Sequence, residues 1–449
     1  MADVSGNGNL DLFVGGRCVP GRYPAAASSL LFRRLGDKFE LDAVNTKALA
    51  SVGMISSAIF SDLDGDSLPE LILACEWGPI KIFKNTHGVL TPWDASITIS
   101  NHPEFTLLHQ LTGWWNGVTT GDFDGDGRLD IVASNWGNNT PYESHRAHPL
   151  QILYGDVNQD GTTAVIETYF DVPMGKWVPE RGMDAMAQAL PFLRERFPTH
   201  AAYGEAGIEE ILGDRLKFVR KLEANWLETT VFLNRGDHFE ARPLPREAQL
   251  APCFGVCVGD FDGDGKEDIF LSQNFFAASP GTPRYDAGCG LWLRGDGRGE
   301  FSAVSAAESG VRIYGEQRGC ALADFDRDGR VDLVVGQNGG ATKLYRNTRA
   351  KPGLNVRLIG PAANPDAVGA CLRVGTGGKF GPAREIHSGS GYWSQDSTAQ
   401  VLAFSENSDT LSVRWPDGAT TTVPLSSQTN QLILHVRDAV SKSAASRRE

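Results

Sequence analysis

Short apolar runs broken by polar turns repeat along the first 350 residues, always in the same order. One apolar run leads into an acidic loop, and a second follows at 71–74, 131–134, 269–272 and 333–336. After a polar turn, a third run closes on asparagine at 82–85, 231–234 and 344–347. A glycine-containing turn and an aromatic run complete the unit, as at 236–239 and 295–301. Runs of this length bounded by turn residues read as strands. Four of them per unit read as one blade of a propeller. The acidic loops start at residues 3, 62, 122, 156, 260 and 324; a period near 60 shows between the first three and between the last two, a spacing that signals a propeller or a solenoid. The pattern predicts an all-β fold, a β-propeller of six or seven four-stranded blades over residues 1–350.

Two stretches depart from this pattern. Residues 182–223 read as a helical insertion into the fourth unit: Met183, Met186, Ala187, Leu190 and Leu193 share one face, and Ile208, Ile211 and Leu212 share another. Beyond Asn347 the acidic loops stop, and short alternating runs at 355–359, 370–374, 383–387, 410–415, 420–423 and 431–436 predict a small β-sandwich-like domain over 351–437. The tail 438–449 is polar and reads as disordered.

The acidic loops carry the clearest chemistry. In the loop at 122, Asp122, Asp124, Asp126 and Asp130 occupy positions one, three, five and nine, with Gly127 at position six. Calcium takes six to eight oxygen ligands from a flexible loop, and carboxylates at this spacing supply them. Arg128 at position seven would offer its backbone carbonyl, leaving its side chain free to vary. An EF-hand would need a bidentate glutamate at position twelve, where this loop has Ala133, and a helix on each side. Asp260, Asp262, Asp264 and Asp268 repeat the set, as do Asp324, Asp326, Asp328 and Asp332. Asp62, Asp64, Asp66 and Glu70 form a copy with Ser67 in the glycine place. Asp3, Ser5, Asn7 and Asp11 form a copy poorer in charge. Asp156, Asn158 and Asp160 begin a sixth that has Ala164 at position nine, so it is expected to be the weakest. Several structural Ca²⁺ ions are the cofactor these residues imply.

The Asp-x-Asp-x-Asp-Gly loops, the run Leu344-Tyr345-Arg346-Asn347 and the turn from Gly295 to Phe301 resemble FG-GAP or VCBS repeats. Such repeats build the seven-bladed propeller of integrin α subunits and many bacterial secreted propellers, so the resemblance implies a calcium-binding propeller over about 1–350. The segments 364–374, 387–397 and 413–418 resemble the ASPIC/UnbV domain, a small β domain that follows FG-GAP repeats. This second resemblance informs architecture more than activity.

Composition narrows the function classes. The net charge of −13 argues against nucleic acid as a partner. The proposed ligand positions of the six loops take 20 of the 55 acidic residues, leaving 35 against 42 basic ones, so the acidity belongs mostly to the loops. No apolar run is long enough to span a membrane. The chain starts inside a repeat, with Asp3 already at loop position one, which reads as a truncated or engineered start and leaves the absence of a signal segment uninformative. Seven scattered cysteines do not suggest a disulfide scaffold; a Cys253–Cys257 bond is open, with buried free thiols the preferred reading.

No Gly-x-Ser-x-Gly elbow, His-Glu-x-x-His or phosphate loop occurs. His145 and His148 read as polar loop, and the triplets Arg235-Gly236-Asp237 and Arg294-Gly295-Asp296 fall where the repeat needs turns. Asn138-Asn139-Thr140 is a formal glycosylation sequon. Trp77 and Trp136 follow equivalent second strands and share one face, the expected ligand surface if exposed and inter-blade packing if not. The whole reads as an extracellular, periplasmic or cell-surface scaffold for a protein or carbohydrate ligand, without a catalytic residue. The alternative is a polysaccharide lyase or glycosidase acting in the propeller channel.

Overall fold

The computed structural model describes residues 1–141, 146–278 and 282–436; His145 and the tail 438–449 lie outside the described residues. The fold is all-β with a few short helices. Six sheets precede residue 350, five of them blade-like and in series. Blade one holds Leu12–Val14, Leu30–Leu35 and Lys38–Leu41. Blade two runs Met54–Ser61, Glu70–Gly78, Lys81–Thr86 and Val89–Trp93, with Gly113–Trp114 added against its second strand. Blade three runs Val118–Gly121, Asp130–Ala133, Thr230–Asn234 and Phe239–Pro243, with Ile97–Thr98 laid parallel on its outer edge. Blade four runs Cys253–Gly259, Asp268–Gln273, Leu291–Gly295 and Phe301–Val304. Blade five has three strands, Glu316–Ala323, Asp332–Asn338 and Lys343–Tyr345.

Second strands are the most buried elements: Asp130–Ala133 and Asp268–Gln273 are buried throughout. Covered on both faces, they are continuous apolar runs, not alternating ones, and adjacent blades bury them against each other. Within each blade the consecutive strands pair antiparallel, the added Ile97–Thr98 alone being parallel among the described residues of the blades.

The insertion departs from the expected place and shape. It enters blade three between Asp130–Ala133 and Thr230–Asn234 and carries a four-stranded sheet of its own, in the order Lys176–Pro179, Ala164–Asp171, Leu150–Gly155, Val219–Ala224. The loop at 156 is the hairpin between two of these strands, so it lies outside the series of blades. Helices Met183–Ala189, Leu193–Arg196, His200–Gly204 and Ile208–Leu212 cover one face of this sheet, burying Met186, Leu190, Leu193, Ile211 and Leu212 on Leu153 and Ile166. Helix was expected through 223. Val219–Ala224 is instead a strand, because pairing along Leu150–Gly155 outweighs local propensity.

Two sheets follow residue 350. One holds Gln400–Leu402, Leu354–Ile359 and Gln431–His435; the other is built on Cys371–Thr376, Ser408–Arg414 and Thr420–Pro424. Leu354, Val356, Leu372, Leu411, Val413 and Trp415 fill the space between them. Among the described residues, no helix is long and apolar enough to cross a membrane.

Candidate metal centres and the face they share

In blades two to five the acidic loop joins the first strand to the second, so these loops lie at the same end of the blades. Four groups of three carboxylates have ligand atoms within 4.8 Å of one another: Asp62, Asp64 and Asp66; Asp122, Asp124 and Asp130; Asp260, Asp262 and Asp268; Asp324, Asp326 and Asp332. Backbone amides shape each group. Asp122 accepts from Gly127 N at 2.9 Å, and Asp260 from Gly265 N at 2.9 Å. Gly127 and Gly265 have φ of +93° and +89°, a conformation that glycine adopts without strain.

The position-nine carboxylates also tie the loop to the blade. Asp130 accepts from Phe123 N at 2.9 Å and from Asn234 N at 2.7 Å. Asp332 does the same with Phe325 N and Asn347 N, and Glu70 with Leu63 N and Asn85 N. In blades two, three and five the asparagine at or near the end of the third strand then reaches the preceding blade. Asn85 donates to Val4 O, Asn234 to Leu63 O and Asn347 to Phe261 O, all within 2.9 Å. Each of these carbonyls belongs to the second residue of the previous loop.

Burial and crowding of like charge set the electrostatics. Burial is the main cause that pushes the Glu70 and Asp268 carboxyls up to about 8, and those of Asp122 and Asp260 up to about 6. Burial likewise holds Asp130 well above the usual range, with Asp124 and Asp122 adding repulsion. Oδ1 of Asp122 and Oδ1 of Asp262 are buried without a hydrogen-bond partner. A cation bound in each loop would satisfy both oxygens. The donor set is all oxygen, which suits a hard divalent ion.

Not every expected ligand joins a group. Asp126, Asp264 and Asp328 at position five pair with the position-seven cations Arg128, Lys266 and Arg330. Asp11 is fully buried and pairs with Arg33 at 3.0 Å; Asp3 accepts from Asn7 N and Gly8 N, and the Oγ of Ser5 is buried without a partner. Asp156 accepts from Asp160 N and Gly161 N, and Asp160 from Thr162 N; Asn158 donates to Ala189 O. With two carboxylates, that loop brings together no group of three.

Residues that sequence reasoning missed cover the loop face from the C-terminal sheets. Arg414 pairs with Asp62 and donates to Ser67 Oγ at 2.8 Å. Ala383 N donates to Asp122 Oδ2 at 2.8 Å, Asn355 to Asp324 at 3.1 Å, and Arg384 pairs with Glu267 at 2.5 Å. Glu385 receives Ser61 Oγ at 2.6 Å. From there a hairpin of residues 387–397 runs between the blades. Gly391 bridges Val118 and meets Ser57, a Cβ on it would lie 2.4 Å from Val256 O, and Asp396 accepts from Leu322 N at 2.8 Å. It thereby touches the first strands of blades two, three, four and five. At its tip Tyr392 is buried and Trp393, stacked on it at 4.7 Å, is 72% exposed.

The tryptophans expected to form a ligand surface are packing residues. Trp77 is 7% exposed, and the chain Trp77, Trp114, Trp136, Phe275 has successive ring centroids 4.9, 4.7 and 5.0 Å apart. Leu150, Ile152 and Ala224 of the inserted sheet lie on this cluster, and the helices lie beyond. His148 stacks on Phe170 at 3.8 Å. In the two Arg-Gly-Asp triplets the arginines pair with Asp124 and Asp262, so both serve blade turns.

The chain is a β protein in which residues 62–133 match the FG-GAP-like repeat and residues 360–441 match ASPIC and UnbV. It is similar to cartilage acidic protein 1. The Mus musculus protein is 24% identical over 308 residues, covering 67% of this chain and 42% of the relative. The Homo sapiens protein is 25% identical over 298 residues, covering 64% and 39%. The chain thus spans about two fifths of the length of these curated relatives. Among solved structures, the exotype rhamnogalacturonan lyase YesX aligns with a TM-score of 0.31 at 14% identity, over 96% of this chain and 71% of that one. BBS1N, solved in complex with ARL6DN, aligns with a TM-score of 0.29 at 10% identity, over 96% and 92%.

Proposed function

We propose that this protein is a calcium-stabilised binding scaffold that works outside the cytoplasm, with its blades spanning about 1–350 and an ASPIC/UnbV domain over 351–437. The ions are held by the loops at 62, 122, 260 and 324, and more weakly by those at 3 and 156. The reading rests on one observation: two buried carboxylate oxygens, on Asp122 and Asp262, have no partner within loops that already crowd three carboxylates together. A divalent ion satisfies those oxygens and neutralises the crowding, and millimolar extracellular calcium suffices for loops of moderate affinity. Similarity to cartilage acidic protein 1 supports the extracellular setting.

A ligand has little access to the loop face, because the C-terminal sheets lie on it. The surface offered to a protein or carbohydrate partner is the far end of the hairpin, where Trp393 presents an exposed indole. The test is metal analysis after dialysis into calcium, followed by calorimetric titration of the stripped protein. Several calcium ions per chain, bound with release of protons, support the reading. A stripped protein that binds no calcium, yet melts unchanged, overturns it.

A further inference from the structure

Cys257 and Cys320 lie on the first strands of blades four and five, 1% and 3% exposed, with their sulfurs 3.0 Å apart. The two strands belong to different blades, and no backbone ladder joins them. We propose that Cys257 and Cys320 form a disulfide that cross-links the inner walls of blades four and five when the protein folds in an oxidising compartment.

The other pairing raised by the sequence is excluded by geometry. Cys253 and Cys257 are four residues apart on one strand, about 13 Å at the usual rise, whereas a disulfide needs Cα atoms within about 7 Å. The Cys253 thiol is turned away toward the carbonyls of Ala248 and Ala251, 3.4 Å from each. Cys257 and Cys320 lie about 60 residues apart in sequence, so their link closes a long loop, the case in which a cross-link most restricts the unfolded chain. Its place also matters: Asp396, on the hairpin between the blades, lies beside Cys257 and accepts from Leu322 N, two residues after Cys320.

The chemistry balances with a small-molecule or protein disulfide as oxidant. One cysteine thiolate attacks the oxidant disulfide and forms a mixed disulfide, releasing one thiol. The second cysteine displaces the other thiol and forms the S–S bond. The protein loses two electrons and two protons, and the oxidant is reduced to two thiols. Burial pushes the Cys257 thiol up, and thiolate is the attacking species, so exchange belongs to folding, before the wall closes.

The experiment is peptide mapping of the full chain, secreted into an oxidising compartment and alkylated under denaturing, non-reducing conditions. Trypsin should yield one cross-linked species joining peptide 247–266 to peptide 319–327, lost on reduction, with five of the seven cysteines alkylated. The link should persist in Cys253→Ala, which shares the first peptide, and vanish in Cys257→Ala and Cys320→Ala. If either of those two variants does not secrete, the wild-type map and Cys253→Ala still decide the matter. Seven alkylated cysteines in the secreted wild-type protein, or a link that follows Cys253, would overturn the proposal.

Discussion

Asp130 shows why the ninth loop position differs from the fifth. Its side chain is buried and accepts two backbone amides, from Phe123 and Asn234. Asp130→Ala strands both amides, at about 1–3 kcal/mol each, so a total loss of about 3 kcal/mol is expected in urea unfolding with calcium present. Asp160 is fully exposed in a loop without a third carboxylate, and Asp160→Ala should not shift the urea midpoint measurably. Equal shifts would show that the two loops are equivalent. The raised carboxyls predict an unusual pH dependence. Glu70 and Asp268 titrate at about 8 in the folded metal-free chain, and Asp122 and Asp260 at about 6, against about 4 when unfolded. The folded state therefore holds more protons between these limits. That contribution to stability is fully present below about pH 4 and is lost as pH rises toward about 8. Metal-free protein should show a lower urea midpoint at pH 8 than at pH 5.5. Saturating calcium should flatten or reverse the slope, because the ion replaces the protons. A metal-free midpoint that rises with pH would contradict the burial of these carboxyls.

At the scale of elements, the asparagine that ends a third strand is an inter-blade clasp. Asn234 donates to Leu63 O of blade two at 2.8 Å and to Leu129 O of its own loop at 3.2 Å. Asn234→Ala leaves two buried carbonyls unpaired and should cost about 2 kcal/mol in urea unfolding, more than any exposed asparagine. Blade four supplies a natural variant: Gly295 stands in the asparagine place, and Gly299 N donates to Phe123 O at 3.1 Å instead. Strand, loop and asparagine of blades two and five were legible in the sequence because each is set by spacing within about 25 residues, whereas Asn234 of blade three lies 104 residues from Asp130 and was legible only by its likeness to the other runs. The seat of the insertion was less so. Leu150–Gly155 and Val219–Ala224 pair across the whole helical segment, and an eye following local periodicity extends the helix to 223. Trp77 and Trp136 were ambiguous for a related reason: whether a tryptophan is platform or packing depends on Leu150 and Ile152, which lie far away in the chain. Least legible were Arg384 and Arg414. In sequence they are ordinary basic residues of short strands, and only the docked sheets bring them to Glu267 and Asp62.

At the scale of the whole molecule, the repeats and the C-terminal sheets should unfold as one. Arg384 and Glu267 pair with side chains 13% and 4% exposed, and removing one member of such a pair costs about 3–5 kcal/mol because the other charge stays buried alone. Asp122 accepts Ala383 N, and Asp324 accepts Asn355 Nδ2, so loop carboxylates are shared between the two parts. The hairpin 387–397 adds contacts to four first strands, which none of those blades can replace from its own chain. Calorimetry of the intact protein in calcium should therefore give a single transition, lowered as a unit by Arg384→Ala. The same substitution removes a cation beside Asp260 and should therefore tighten calcium binding at the loop at 260 more than at the loop at 62. Arg414→Ala should act mainly at the loop at 62, since Arg414 competes with the ion for Asp62. Two separate transitions in the wild-type protein, with Arg384→Ala moving only the one that belongs to the C-terminal sheets, would mean that these contacts join the two parts without coupling them.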